Sequence, residues 1–267
     1  MRIWAVANQK GGVGKTTTTV ALAGLLADRG ARVLLVDLDP HGSLTSYFGH
    51  DPERLAHSSF DLFAEQPVAT AAAVRALLLP AADGSLQLLA ASPALATVER
   101  RALNGTGVRI SRALALLWDD FDYVLLDTPP VLGALMINAL AACEQLLIPV
   151  QTEYLALKGL ERMLRTLDMM ARSTQKPLPH LIVPTLFDRR TQASVGSLRT
   201  LRNEHDGRIW AGMIPIDTKF RDASRAGKLP SRFDPHSRGV EAYGALLKVL
   251  LAGHAAPPQA LAGTGVR

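Results

Sequence analysis

The run Asn8-Gln9-Lys10-Gly11-Gly12-Val13-Gly14-Lys15-Thr16-Thr17 sets three glycines and two lysines between an apolar stretch, Ile3–Ala7, and a helical pattern, Thr16–Asp28, closed by Arg29-Gly30. A phosphate-binding loop needs that setting. Glycines let the backbone fold until several N–H groups face one anion, and the helix start adds its positive dipole end. Lys15 is placed to reach the outer phosphates of a nucleotide, and the Thr16 hydroxyl to ligate magnesium. Gly11, Gly12, Val13, Gly14 and Thr17 complete the cradle around them. The spacing departs from G-x-x-x-x-G-K-[ST]: Gln9 stands at the first glycine, and a second lysine, Lys10, precedes Gly11.

Carboxylates follow at two strand ends. Val33-Leu34-Leu35-Val36-Asp37-Leu38-Asp39-Pro40 closes an apolar run with two acids two positions apart, which in extended geometry share one face. Phe121-Asp122-Tyr123-Val124-Leu125-Leu126-Asp127-Thr128-Pro129-Pro130 ends on Asp127, a candidate to hold magnesium through water. Open α/β sheets bind ligands at the carboxyl ends of their strands.

The elements that must position these groups are legible as short Val/Ile/Leu-rich runs alternating with helical patterns. This predicts an α/β fold: a doubly wound, mostly parallel sheet with helices on both faces. Expected strands are Ile3–Ala7, Arg32–Val36, Leu86–Ala90, Tyr123–Leu126, Leu146–Val150, His180–Leu186 and Ile209–Ile214. Expected helices are Thr16–Asp28, Leu155–Ala171, Gln192–His205 and Ser237–Leu251, with a further one over Ala69–Leu79 in the poorly patterned stretch Asp51–Ser85.

With 267 residues, 48% of them apolar, the chain can bury a full core. One domain is expected over residues 1–254, followed by a disordered Ala/Pro/Gly-rich tail over 255–267. No run of about 18 apolar residues occurs, and Met1-Arg2-Ile3-Trp4 enters the first strand without a leader pattern, so a cytoplasmic protein with no transmembrane segment is expected. The lone Cys143 excludes an intramolecular disulfide or a zinc cluster and reads as a buried small residue.

The net charge of +5 is unevenly spread: residues 189–238 hold eleven Lys and Arg against five Asp and Glu, a local +6. Arg189, Arg190, Arg199, Arg202, Lys219, Arg221 and Arg225 could form a stripe that contacts nucleic-acid phosphates, although such runs are more often solvated faces.

Lys10 to Thr16 resembles the deviant phosphate loop of the ParA/MinD family of P-loop ATPases. Similarity runs from about residue 3 to 251, through Asp37-Leu38-Asp39-Pro40, Asp127-Thr128-Pro129-Pro130, Ile214-Pro215-Ile216-Asp217 and Ser237-Arg238-Gly239-Val240-Glu241-Ala242-Tyr243. The resemblance implies ATP and Mg2+ as cofactors and a homodimer formed with ATP, in which Lys10 reaches the partner's nucleotide. Asp39 positions the attacking water, Asp37 supports the magnesium shell, and Pro215 and Asp217 cradle the adenine. Two positions depart from the pattern. Asp217 stands where the family often has Asn. His41 replaces a Gln, and is either a modifier of hydrolysis or a solvated loop residue, the second being the plainer reading.

The resemblance further implies non-specific DNA association, strongest for Lys219, and a hydrolysis-stimulating partner protein, either ParB-like or an array-linked adaptor. The cargo would be a chromosome, a plasmid or a polar assembly such as a chemotaxis array. No helix-turn-helix pattern precedes the loop to read an operator. A MinD-like membrane anchor would need an amphipathic basic C-terminal helix, which His254–Arg267 lacks. An iron–sulfur relative would need two cysteines per chain, and a synthetase a substrate pocket for which no motif is found.

Overall fold

The computed structural model describes residues 1–64, 70–100 and 107–253. The expected tail, 255–267, lies outside the described residues. In chain order the elements are β1 (Arg2–Val6), α1 (Lys15–Ala27), β2 (Val33–Asp37), α2 (Ser43–Tyr47), a 3-10 turn (Ser59–Phe63), α3 (Ala71–Arg75), β3 (Leu78–Ala81), β4 (Leu86–Leu89), α4 (Leu95–Arg100) and α5 (Arg109–Ala115). There follow β5 (Tyr123–Asp127), α6 (Ala134–Ala142), β6 (Gln145–Gln151), α7 (Tyr154–Thr174), β7 (His180–Thr185), α8 (Gln192–Glu204), α9 (Lys219–Arg225), α10 (Pro230–Phe233) and α11 (Arg238–Gly253).

The strands form one sheet in the order β3-β4-β2-β5-β1-β6-β7, parallel throughout except for the β3–β4 pair. Alternate side chains of each strand feed two cores. Ala5, Val36, Val124, Leu126 and Ile148 pack with Ile110, Met136 and Leu160 of α5, α6 and α7. Trp4, Val6, Leu35, Leu125 and Leu147 pack with Val20 and Leu22 of α1 and Leu246 and Leu247 of α11. The doubly wound arrangement is therefore as expected. The interior strand β1, next to the central strand β5, delivers the glycine-rich loop between β5 and β6.

Two expectations are corrected. Ile209–Ile214 is not a strand. The Trp210 N–H donates to the Ile182 carbonyl and the Ile214 N–H to the Pro184 carbonyl, so four residues on one side span two on the other and Ala211–Met213 bulges out. Pro184 has no N–H to continue the ladder, and the Trp210 ring covers Gly212, where a Cβ would lie 2.3 Å from it.

The helix expected over Ala69–Leu79 shortens to α3, capped by the Thr70 hydroxyl, which accepts from the Ala73 N–H. Leu78–Ala81 instead runs antiparallel to β4 around a turn in which Ala82, Asp83 and Gly84 all have positive φ. Asp-Gly is a strong hairpin signal, and Pro80 is tolerated because β3 is an edge strand. Cys143 is buried, and burial pushes its thiol up to about 12.

Candidate functional site

Side chains bearing chemistry gather at the carboxyl ends of β1, β2, β5 and β6. Asp37 and Asp127 are direct neighbours in the β2–β5 register, and Val6 pairs with Asp127 on the other side. The loop that leaves β1 thus starts beside Asp127, with Asp37 one strand further on.

Buried polar groups hold the loop in place. Asn8 donates to the Pro149 carbonyl at 2.7 Å and accepts the Lys10 N–H at 3.0 Å, anchoring the loop entry to β6. The Thr185 hydroxyl donates to the Val13 carbonyl at 2.8 Å, tying the loop to β7. Gly12 and Gly14 have φ of +75° and +91°, and a Cβ at either would meet nothing within 4 Å. The left-handed backbone, not crowding, calls for glycine here, and the space over the loop stays clear for an anion. Behind it, Thr18 is joined to Tyr243 of α11 at 2.9 Å.

Lys15 is 7% exposed and donates to the Lys10 carbonyl at 3.3 Å. Burial lowers the proton affinity of its ammonium, and the charges of Asp127 and Asp39 partly restore it. Lys10 forms an ion pair with Glu153, which stands just before α7 and whose side chain makes no capping bond to it.

The Thr16 hydroxyl donates to Asp127 Oδ2 at 2.6 Å, whereas Asp127 Oδ1 is buried without a hydrogen-bond partner. Burial, and then the charge of Asp37, push Asp127 up to about 8. A buried, half-partnered carboxylate is costly in protein alone, and together with the Thr16 hydroxyl it fits a divalent cation. Among the described residues no three His, Cys, Asp or Glu cluster as a metal cage. Magnesium keeps several waters and takes one or two carboxylates plus phosphate oxygens.

Asp37 is placed differently from a free ligand. Its Oδ1 accepts the Asp39 N–H at 3.1 Å, and its Oδ2 accepts both the N–H and the hydroxyl of Thr45 at 2.8 and 2.7 Å. It anchors the first turn of α2, and burial pushes it up to about 6 despite those bonds. Asp39, the next acid, accepts from the backbone and the ring of His41. At Gly42 the chain has φ +61°, and a Cβ would lie 2.4 Å from Pro52 Cγ, so only glycine fits.

Pro215 and Asp217 share a cavity of about 130 Å³ with Gly14, Thr17, Leu186, Phe220 and Tyr243, immediately beside the loop. Both Asp217 oxygens are engaged, one by the Lys219 N–H at 3.0 Å and the other by the Gly239 N–H at 2.9 Å. The carboxylate therefore caps the starts of α9 and α11.

The basic residues divide into two groups. Arg189 and Arg190 line one surface depression, Arg199 and Arg202 line another, and the two depressions share Phe187 and Met213. Arg221 and Arg225 instead face Thr16, Thr17, Ser43 and Tyr47. Lys219 pairs with Asp234 at 3.7 Å, and Arg190 with Asp188 at 2.7 Å. The structure thus brings four of the arginines together and sets α9 apart. Sequence reasoning missed Asn8, Thr45 and Glu153; their partners lie in distant segments, and only the position of Glu153 just before a helical pattern gave any signal.

Similarity to known proteins follows this geometry. The AAA domain family matches residues 1–179. The sporulation initiation inhibitor protein Soj of Bacillus subtilis is 36% identical over 258 residues, covering 94% of this chain and 98% of that one. The chromosome-partitioning ATPase Soj of Thermus thermophilus is 39% identical over 251 residues, covering 93% and 94%. The crystal structure of cobyrinic acid a,c-diamide synthase from Mycobacterium smegmatis with bound ATP analog and magnesium is 36% identical, with a TM-score of 0.79 over 96% of each chain. The chain belongs to the AAA-domain P-loop ATPases, within the Soj/ParA family of partition proteins. Among its described residues no helix is long and apolar enough to cross a membrane.

Proposed function

We propose that this protein is an ATP-driven positioning switch. It binds ATP and Mg2+, pairs with a second copy, associates with DNA without sequence preference, and is released when a ParB-like or array-linked partner stimulates hydrolysis. The observation that carries this reading is the convergence of Lys10, Lys15, Thr16, Asp39 and Asp127 on one glycine-rich loop, with Thr16 bonded to Asp127.

The residues divide the task. Backbone N–H groups of Gly11 to Thr16 face the phosphates, and Lys15 neutralises charge on the outer ones. Thr16 and Asp127 would hold magnesium, Asp127 through water, with Asp37 adding charge beside it. Held there, the metal would supply positive charge to offset that of the phosphates. Asp39 orients the attacking water. Lys10 reaches the nucleotide of the second copy once it leaves Glu153. Pro215 and the backbone around Asp217 border the adenine. Arg189, Arg190, Arg199 and Arg202, with Lys219 and Arg221 on α9, supply the phosphate contacts to DNA.

The Mycobacterium synthase likeness favours a second reading, an ATP-dependent synthetase. Binding to random-sequence DNA with ATP, ADP or no nucleotide, at two salt concentrations, separates the two. Binding that requires ATP and weakens with salt is expected. ATP-dependent dimers that ignore DNA at low salt would overturn the DNA arm, and turnover that requires a small-molecule acceptor would favour the synthetase.

A further inference from the structure

The loop after β2 holds a contact that the general mechanism does not call for. Residue 41 donates twice to one oxygen of Asp39: its backbone N–H reaches Oδ1 at 3.0 Å and its ring Nδ1 reaches the same Oδ1 at 2.8 Å. The first bond closes an Asx turn, which any residue at this position can supply. The second depends on the side chain. An ionised Asp can only accept, so the ring must carry its proton on Nδ1.

The surroundings make this contact directional. The Gly42 N–H donates to the Asp39 carbonyl at 2.8 Å, closing a turn with Pro40 at its second position, and Pro52 packs against Gly42. The Asp39 side chain is 14% exposed while that of His41 is 80% exposed, so the ring approaches the carboxylate from the solvent side. Both bonds fall on Oδ1, which leaves Oδ2 to orient water.

We propose that His41 is a positioning residue for Asp39, its Nδ1–H holding the carboxylate in the rotamer that presents Oδ2 to the attacking water. This rests on the ATPase reading above. In the reaction, the water oxygen bonds to the γ-phosphorus as the bond to the bridging oxygen breaks, ADP leaves with the electron pair, and the water proton ends on inorganic phosphate. His41 neither gives nor takes a proton. The imidazole Nδ1 and an asparagine Nδ2 stand at the same distance along the side chain, so Asn can reproduce the donation and Ala cannot.

The test combines a spectroscopic and a kinetic measurement on the full chain. Long-range 1H–15N spectra are expected to show a proton on His41 Nδ1, a state lost in Asp39→Ala. In steady-state ATP hydrolysis, His41→Ala is expected to lower kcat about fivefold to tenfold, the effect of one solvent-facing hydrogen bond, with KM for ATP within about twofold. His41→Asn restores kcat to within about twofold. An Nε2–H tautomer in the unaltered protein overturns the contact whatever the activity, and equal kcat for the Ala and Asn variants overturns the positioning role. An unaltered protein with the Nδ1–H tautomer but no ATP turnover overturns the ATPase reading, and this proposal with it.

Discussion

Lys10 and Glu153 are paired within one chain: the lysine implied to serve a neighbour's nucleotide is held by the residue immediately before α7 of the same chain. Association must break this pair before Lys10 can act across an interface. With side-chain exposures of 25% and 42% the pair is partly solvated, so its strength falls in the range of about 0.5–1 kcal/mol. Because each of the two subunits gives up one such pair, Glu153→Gln is expected to tighten ATP-dependent dimerisation about fivefold to thirtyfold, read by analytical ultracentrifugation. Lys10→Ala is expected to bind ATP yet stay monomeric. Light scattering that still found a dimer would count against the cross-subunit role.

Asp127 makes the nucleotide-free protein sensitive to pH. Its folded carboxyl is pushed up to about 8 and that of Asp37 to about 6, against an ordinary value near 3.9. The folded state therefore holds protons that the unfolded chain releases, so the associated stability is fully present below about pH 4 and is lost as pH rises through 6 and 8. Melting temperature without nucleotide is expected to fall between pH 6 and 8.5, and Asp127→Asn to flatten that decline. An unchanged slope in the variant would assign the effect elsewhere.

Gly42→Ala forces an alanine into φ +61° with its Cβ 2.4 Å from Pro52. The left-handed backbone and the overlap together are expected to cost about 2 kcal/mol or more, read by urea denaturation. A neutral result would mean that the loop relaxes away from Pro52.

Asp217→Ala removes the acceptor for two helix-start N–H groups. A loss of about 1–2 kcal/mol is expected, with Asp217→Asn retaining part of it. If Asp217→Ala lowered ATP affinity at unchanged stability, the carboxylate would be a base contact and not a cap.

Asp39→Ala is expected to arrest the cycle with ATP bound and the dimer intact, and Lys15→Ala to abolish nucleotide binding, both measurable by fluorescent-nucleotide titration and phosphate release. Full phosphate release from Asp39→Ala would remove that residue from the mechanism.

The phosphate loop and Asp127 were legible because their signals are local: glycines and lysines at fixed spacing after an apolar run, and an acid at a strand end. The α/β alternation was legible for the same reason. What failed depended on partners far away in the chain. Ile209–Ile214 has strand composition, but its neighbour β7 offers a proline and the Trp210 ring needs room over Gly212. Ala69–Leu79 reads as helix by propensity, and the hairpin at Asp83-Gly84 wins because β4 supplies a ladder for Leu78–Ala81. Asp37 illustrates the limit within the site. Its position was evident from sequence, but its engagement by Thr45 places it as the anchor of α2, which spacing alone does not reveal.

Proline also marks both margins of the sheet. Pro184 interrupts donors beyond β7, and on β3 the outer carbonyl of Pro80 is taken by His50 at 3.0 Å. Neither edge offers an unbroken row of backbone groups to another strand. Among the described residues, strand addition at either margin, the route that leads to irreversible fibres, meets a break in the ladder. A further copy approaching either margin would therefore meet side-chain surfaces before it met a free ladder.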